Sequence, residues 1–210
     1  MNHLGDYYDS GRMFTYIRGF AMGKHWNETL NAMNFARKLH EGQNRKSGEP
    51  YIIHPLTMAC HALAMGLEDD EIIASLLLHD VVEDCNVSIN DLPVNNNVRY
   101  IVNLLTHEKE TPLENYYSSI AMNGKASICK IIDRCNNVST MSGVFKKQKL
   151  LDYIIETNAF ILPLIRSTKE KFPEYQNALF LLKYQIVTLL SSIEGALEMY
   201  NGDIDGSNHS

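Results

Sequence analysis

The amino-acid sequence predicts an all-α fold. Apolar residues recur at helical spacings, and the segment with Leu30, Met33, Ala36 and Leu39 is typical. Residues that begin or end helices, such as Gly42 after that segment, accompany these patterns. No segment alternates apolar and polar residues as half-buried strands do, and no Asn-Gly turn joins two apolar runs. These observations favour packed helices over any sheet.

The predicted helices follow one another with short connections. The first begins at Asn27 and ends near Gly42, and the loop GQNRKSGEPY follows it. Pro55 fits the first position of the second helix, which Gly66 closes, because proline is tolerated where a helix N–H has no partner. The remaining start signals are Asp69-Asp70, Ser88 with Asp91, and Thr111-Pro112 with Glu114. The other predicted helical segments are residues 98–105, 125–138, 145–170 and 174–200.

The length and composition predict one main domain. A chain of 210 residues with 45% apolar content can bury a core of its own. Residues 1–25 lack clean periodicity, so we expect an irregular N-terminal arm there. We expect residues 26–200 to form a single domain and residues 201–210, NGDIDGSNHS, to form a frayed polar tail.

The charge and the apolar runs argue against several classes of partner. The formal net charge is −6, and the densest basic spot is only Lys146-Lys147 with Lys149, so we expect no DNA or RNA binding. The longest apolar runs fall short of the roughly 18 residues that cross a bilayer, and the first residues do not resemble a signal peptide. We therefore expect a cytoplasmic protein without a membrane partner.

The cysteines predict a reduced protein. The chain contains no CxxC pair, and each cysteine lies in a helical or apolar context. The four residues are Cys60, Cys85, Cys129 and Cys135.

The stretch LLLHDVVEDC, residues 76–85, gathers ionisable groups in an apolar run. Burying a carboxylate without a compensating charge costs on the order of several kcal/mol, so a cation is expected nearby. His79 and Asp80 point about 100° apart in a helix, so one ion could contact both only near a helix end. Glu83 and Asp84 complete the group. The alternative is a solvated carboxylate cluster at the end of a helix.

Two further stretches carry polar groups beside apolar residues. In RKSGEPYIIHP, residues 45–55, Arg45 and Lys46 beside Ser47 suit a flexible phosphate-binding loop, and His54 precedes a helix. The alternatives are a solvated basic pair and a structural histidine. In KIIDRCNNVSTM, residues 130–141, a carboxylate and an amide lie four residues apart on one helix face. The alternative is a surface pair of Asp133 with Arg134 or Lys130.

Together these stretches resemble the HD-domain hydrolases of the Rel/SpoT family. The matching pieces are HEGQNRKSGEPYIIHP, LLLHDVVED and KIIDRCNNVSTM, in that order, over residues 40–141. The HD doublet indicates the superfamily, whereas the RKSGEPY loop and the DRxxN segment are typical of the alarmone-hydrolase branch. The resemblance implies an HD-domain helical bundle. Because no synthetase region follows, the chain is similar to a stand-alone small alarmone hydrolase.

The resemblance also implies roles for individual residues. It implies one divalent ion per chain, most often Mn²⁺, and two imidazoles with two carboxylates leave room for water and a phosphate oxygen in an octahedral shell. Glu83 and Asp84 match the pair that orients and deprotonates the attacking water. The implied metal ligands are His54, His79, Asp80 and Asp133. The implied substrate-binding residues are Arg45, Lys46, Ser47, Asn137 and Thr140.

The implied activity is hydrolysis of the 3′-diphosphate of (p)ppGpp, giving GDP or GTP and pyrophosphate. The chain departs from the family's usual residues at Cys135-Asn136 and in THEKE, residues 106–110. Two other readings therefore stay open. One is an HD phosphohydrolase for another 3′-phosphorylated nucleotide, such as ppApp or NADPH. The other is a module that binds an alarmone or a partner protein without turnover, and a homo-oligomer is compatible with each.

Overall fold

The described part of the chain is helical, as the sequence predicts. A computed structural model describes residues 9–206. Within that range there is no strand, and a single antiparallel bridge joins Asn44 to Pro50. The α-helices are α1 (Ser10–Lys24), α2 (Asn27–Leu39), α3 (Ile53–Ala64), α4 (Asp70–Leu78), α5 (Val81–Asp84), α6 (Asn96–Leu105), α7 (Leu113–Ile120), α8 (Gly124–Met141), α9 (Lys147–Glu156), α10 (Leu162–Lys171) and α11 (Gln176–Gly206).

Helix α4 lies at the centre of the fold. The Asp69 carboxylate caps it by accepting from the Ile72 backbone N–H at 3.0 Å, and every residue from Ile72 to Leu78 is buried. A helix that is apolar around its whole circumference is stable only when surrounded by other elements. Helices α2, α3, α6 and α8 surround it. The end of α4 therefore lies deep in the molecule, between α3 and α8.

Helix α8 supplies the long wall opposite α3. Asn123 caps it by accepting from the Ala126 N–H at 2.9 Å. A Cβ atom at Gly124 would lie 2.8 Å from the ring of Phe172, so a glycine is needed where the segment before α11 crosses this helix start. Helices α3, α4, α10 and α11 pack on α8. This contact brings residues near 54, 79 and 133 to one place.

The expectation of an irregular arm at the N-terminus is wrong for residues 10–24, which form α1. The Asp9 carboxylate caps this helix by accepting from the Arg12 N–H at 2.7 Å. Met13, Ile17 and Ala21 lie one turn apart and are buried against the body. Glycines and exposed aromatic residues between these positions obscure the periodicity in the sequence. Residues 1–8 lie outside the described residues.

The single helix predicted over residues 145–170 is divided. Helices α9 and α10 are joined by the wider turns of a π-helical segment, Thr157–Ile161. Pro163 sits at the start of α10 and has no N–H to donate to the preceding turn. The helix therefore widens before the proline instead of continuing with regular α-helical hydrogen bonds.

The last helix runs beyond the predicted end at residue 200, because α11 extends to Gly206. Residues 207–210 of the predicted tail lie outside the described residues. The segment Pro173–Glu198 is long and apolar enough to cross a membrane by length and composition alone. The expectation of short apolar runs still holds, because polar residues interrupt this segment, which qualifies by its mean hydropathy. One face of the helix packs on α8, as a core helix does.

Smaller expectations are also resolved by the structure. All four cysteines are free, as predicted. The Ser88 side chain caps only a short 3₁₀ turn, Ile89–Asp91, instead of an α-helix. Helix α7 begins after Pro112 without a side-chain cap, so the capping predicted for Thr111-Pro112 is absent there.

Candidate metal centre

The chain leaves the helix at the His79-Asp80 doublet. Helix α4 ends at Leu78, and the separate short helix α5 starts at Val81. This break lets both side chains turn to one point, where His79 Nε2 lies 2.8 Å from Asp80 Oδ2. One ion could contact both side chains only near a helix end, and the two side chains do converge just after the end of α4. Glu83 and Asp84 belong to α5 and are therefore on a different helix from the one that leads to His79.

His54 from α3 and Asp133 from α8 complete the cluster. All four residues come from elements that pack on α4 or follow it, and the histidines and Asp133 are buried. The ligand atoms of His54, His79 and Asp80 lie within 4.8 Å of one another. Three further distances define the cluster: His54 Nε2 to Asp133 Oδ1, 3.4 Å; His54 Nε2 to Asp80 Oδ2, 3.7 Å; and His79 Nε2 to Asp133 Oδ1, 3.8 Å.

The far side of each imidazole ring is held by the protein. His79 Nδ1 lies 2.9 Å from the Leu76 carbonyl oxygen, and His54 Nδ1 lies 2.7 Å from the Asn136 side-chain oxygen. An oxygen of either kind only accepts, so each Nδ1 carries the proton and each Nε2 is free to be a ligand. His79 Nε2 is buried and has no hydrogen-bond partner within the described residues. A buried nitrogen without a hydrogen bond, surrounded by carboxylates, fits a divalent ion.

The two oxygens of Asp133 face different partners. Oδ1 faces the histidines and accepts from Asn137 Nδ2 at 2.6 Å, whereas Oδ2 accepts from Lys130 Nζ at 3.1 Å. Burial opposes ionisation of Asp133, but Lys130 and His54 hold its pKa well below the usual range. The alternative of a pair with Lys130 is therefore realised, but the pair belongs to the cluster because Asp133 is only 8% exposed.

Tyr51 is a residue of the site that the sequence reasoning missed. Its hydroxyl donates to Asp80 Oδ2, and its ring stacks on His40 at 4.7 Å between centroids. Burial and the Asp80 charge raise the pKa of Tyr51 above its usual range, so the hydroxyl stays a donor. Burial also disfavours both charged partners of the doublet, but their mutual attraction lowers the pKa of Asp80 and raises that of His79 to about 9, so a divalent ion would have to displace a proton from His79 Nε2. The sequence signal that could have indicated Tyr51 is its place in GEPYIIHP, three residues before the predicted ligand His54.

A cavity of about 500 Å³ opens beside the cluster. Every residue that the sequence predicts for the site lines it except His79, which is buried next to Asp80. The predicted residues in the lining are Arg45, Lys46, Ser47, His54, Asp80, Glu83, Asp84, Asp133, Asn137 and Thr140. The lining residues without a predicted role include Tyr51, Lys130, Phe145, Lys149 and Tyr153.

One wall of this cavity is basic. Arg45 Nη2 donates to Asn137 Oδ1 at 3.1 Å, while its Nη1 is buried with no partner within the described residues. The ammonium groups of Lys46 and Lys149 lie 5.6 and 4.1 Å from the Phe145 ring centroid, and contact with Lys46 lowers the pKa of Lys149. An anion between these cations would relieve their repulsion and supply the missing acceptor. In a chain of net charge −6, this concentration of cations suits a phosphate.

The loop that carries Arg45 and Lys46 is a closed turn. The Arg45 N–H donates to the Glu49 carbonyl at 2.8 Å, and the Gly48 N–H donates to the Arg45 carbonyl at 2.9 Å. Gly48 has φ 93°, a conformation that glycine adopts without strain. The composition predicts a flexible loop, but these bonds give it a defined shape at the cavity edge.

Glu83 and Asp84 stand at the cavity edge on α5. The Glu83 Oε1 atom accepts from the His107 backbone N–H at 2.6 Å. Partial burial of its carboxyl group raises the pKa of Glu83; the His107 N–H opposes this shift, and the charge of Asp80 adds to it. A carboxylate with a raised pKa beside a candidate metal centre is suited to proton transfer.

The fold and this histidine–aspartate cluster together define an HD-domain protein, and residues 32–107 match a family model described as "HD domain". In an alignment of 151 residues that covers 67% of the chain, the protein is 34% identical to the guanosine-3′,5′-bis(diphosphate) 3′-pyrophosphohydrolase of Aquifex aeolicus. It is 30% identical over 81% of its length to the protein of that name from Vibrio cholerae. It is also 29% identical over 78% of its length to the bifunctional (p)ppGpp synthase/hydrolase SpoT of Escherichia coli.

The chain therefore belongs to the Rel/SpoT family of HD-domain proteins. It spans 21%, 27% and 28% of the lengths of these three relatives, about a quarter of each. The likeness concerns the region that contains the candidate metal centre. The predicted domain limits and the roles of single residues stay predictions.

Proposed function

We propose that the protein is a metal-dependent hydrolase that removes the 3′-diphosphate of (p)ppGpp, giving GDP or GTP and pyrophosphate. The observation that carries this proposal is the meeting of a histidine–carboxylate cluster with a basic wall in one cavity. The names of the relatives from Aquifex aeolicus and Vibrio cholerae support the same reaction. Cations on one side would bind the phosphates while the cluster faces the bond to be broken.

The proposed metal is one Mn²⁺ per chain, held by His54, His79, Asp80 and Asp133. Mixed imidazole and carboxylate ligands suit Mn²⁺, and four protein ligands leave two positions of an octahedral shell for water and a phosphate oxygen. When bound, the ion would supply Lewis-acid stabilisation of the charge that develops on the phosphate and acidify a water. Asn136, the Leu76 carbonyl and Tyr51 would keep the ligand side chains oriented.

Glu83 and Asp84 are proposed to act on the attacking water. Glu83 is held by the His107 N–H, and its raised pKa makes it a better proton acceptor than an ordinary surface glutamate. It would take a proton from the water as the phosphate is attacked and later return it to solvent or to the leaving oxygen. Assistance of this kind contributes on the order of 10² to 10⁴ in rate.

The basic wall is proposed to bind the substrate. Arg45 would direct its unpaired Nη1 to a phosphate oxygen, and Lys46 with Lys149 would bind further phosphate charge beside Phe145. Asn137, Thr140 and Ser47 would contact the nucleoside, since they lie in the same cavity. The Lys130 ammonium stays charged because the neighbouring Asp133 outweighs burial and raises its pKa, so it adds to this wall.

Turnover assays would separate this proposal from the two rivals. Purified protein with Mn²⁺ would be incubated with ppGpp, pppGpp, ppApp and NADPH, and the products identified by chromatography. We expect pyrophosphate with GDP or GTP from the guanosine substrates. Faster turnover of ppApp or NADPH would support the other HD phosphohydrolase, and binding of ppGpp without products would support the binding module. The absence of nucleic-acid and membrane partners, the possible homo-oligomer and the cytoplasmic location stay predictions.

A further inference from the structure

A second cavity of about 550 Å³ lies between α1, α3, α8 and α11. We call it the Arg12 cavity, after the residue that α1 contributes to its edge. It shares one lining residue, Thr140, with the cavity of the metal centre, and the rest of its lining is different. Its volume lies within the range of small-molecule sites, about 300 to 1,000 Å³.

The lining of the Arg12 cavity is mostly apolar or uncharged. Met13, Tyr16 and Ala64 contribute apolar surface. Burial lowers the pKa of His61, so this imidazole is neutral near pH 7, and burial raises the pKa of the Cys60 thiol to about 11. The lining of the Arg12 cavity therefore offers mostly uncharged surface to an apolar molecule, and the cavity is large enough to hold a small one.

Arg12 is the cation in this lining. Its backbone N–H donates to Asp9, and its side chain is exposed; among residues 9–198, whose side chains the structure describes, the guanidinium has no hydrogen-bond or ion-pair partner. A guanidinium without a partner among the described side chains, beside an apolar cavity, matches a ligand that has one anionic group next to an apolar body.

Asn136 connects this cavity to the metal centre. It lines the Arg12 cavity, is 5% exposed, and its side-chain oxygen lies 2.7 Å from His54 Nδ1. Only the Asn136 side chain would separate a small molecule that contacts this amide from His54, a proposed metal ligand. Because the hydrogen bond to Nδ1 sets the orientation and basicity of the imidazole, a change at Asn136 would be felt at Nε2.

We propose that the Arg12 cavity binds a small molecule with an apolar body and one anionic group, and that this binding is linked to metal binding through Asn136. The first part is independent of the proposed hydrolase activity, whereas the second part rests on the proposed metal centre. Neither part requires turnover to be measured, so a failure here is distinguishable from a failure to hydrolyse (p)ppGpp.

Fluorescence titration with 8-anilinonaphthalene-1-sulfonate tests the first part, because this dye has an aromatic body and one sulfonate. We expect saturable binding to one site per chain. Arg12→Gln should weaken it about tenfold, as expected when a charged hydrogen bond of roughly 1.5 kcal/mol is lost. Ala64→Trp should abolish it by filling the cavity from an exposed position on α3.

Ala196→Trp is the matched control, since Ala196 is exposed on α11 and does not line this cavity. It should bind the dye as the parent does. The exposed apolar side chains of Phe180 and Tyr184 on α11 offer the dye another surface. Equal affinity of the parent and Ala64→Trp would assign the dye to such a surface and overturn the proposal, as would the absence of saturable binding.

Calorimetric Mn²⁺ titration with and without saturating dye tests the second part. Linked sites change each other's affinity by one common factor, and we expect about fivefold or more in the parent. Asn136→Ala should weaken Mn²⁺ binding about 10- to 100-fold, the usual effect of removing such a partner, and should remove the linkage. Equal Mn²⁺ affinity of the parent with and without dye would overturn the linkage.

Discussion

The backbone N–H of His107 donates to Oε1 of Glu83 at 2.6 Å, joining the loop after α6 to the short helix α5. This bond orients one of the two carboxylates that follow the His79-Asp80 doublet. Since a general base must be positioned as well as basic, Glu83 is the better candidate of the pair. The same bond explains how a carboxylate that is only partly buried can have a defined direction.

Replacing Glu83 and Asp84 by amides should separate catalysis from binding. The double variant Glu83→Gln with Asp84→Asn keeps the shape and most hydrogen bonds but removes the base. We expect single-turnover hydrolysis of ppGpp to fall at least about 10²-fold, with Mn²⁺ and substrate affinity nearly unchanged. Glu83→Gln alone should account for most of the loss. Hydrolysis by the double variant at the parent rate would remove both residues from the mechanism.

Removing His79 should remove the metal. Elemental analysis or Mn²⁺ titration of the parent should give about one ion per chain, and His79→Ala should abolish it, because the buried Nε2, one of the four proposed ligand atoms, is removed. His25→Asn is the matched control: His25 lies at the end of α1 with φ 58°, which asparagine tolerates. A parent protein without any divalent ion would contradict the enzyme proposal.

Removing the Lys46 ammonium should weaken the binding and turnover of the nucleotide without changing the metal content. A positioned charged contact is worth roughly 1.5 to 3 kcal/mol, so Lys46→Ala should lower kcat/KM by at least about tenfold. Lys169→Ala, an exposed position at the end of α10, should leave it unchanged. Unchanged kcat and KM in Lys46→Ala would instead support the alternative that Arg45 and Lys46 are a solvated basic pair without a role in substrate binding.

The stability of the protein should depend on Glu71 in a pH-dependent way. Lys125 bridges Asp69 at 2.7 Å and Glu71 at 2.8 Å, tying α8 to the start of α4. Burial opposes ionisation of Glu71, but the hydrogen bond from Lys125 and one from Asn97 hold its pKa below the ordinary 4.5. Because the folded pKa is the lower one, this stabilisation is complete above pH 4.5 and is lost as the pH falls through the folded value.

Melting curves of the parent and Glu71→Gln between pH 7 and pH 3 would measure this effect. We expect the variant to melt about 1 to 4 °C lower at pH 7, as for the loss of up to about 1 kcal/mol in a chain of this size. The difference should shrink as the pH falls below 4.5. Glu194→Gln, exposed on α11, should match the parent throughout. A difference that stays constant over the whole range would exclude the ionisation of Glu71 as its cause.

The helical class and most helix positions could be predicted from the sequence because they depend on local periodicity and caps. Asp69 and Gly66 act as expected, since Asp69 caps α4 and Gly66 adopts φ 79° after α3. Helix α1 was missed because glycines dilute its apolar spacing, and the π-helical segment before Pro163 was missed because a proline in a helical pattern has several outcomes.

For the site, the sequence by itself determined which residue types are present and in which order, and these supported the resemblance to a known family. It could not determine that α4 stops at Leu78, that Tyr51 donates to Asp80, or that Lys130 takes one oxygen of Asp133. These relationships join residues far apart in the chain or depend on burial. Only tertiary packing of α3, α4 and α8 decides which polar side chains lose water together, and therefore which of them must share a proton, a hydrogen bond or a metal ion.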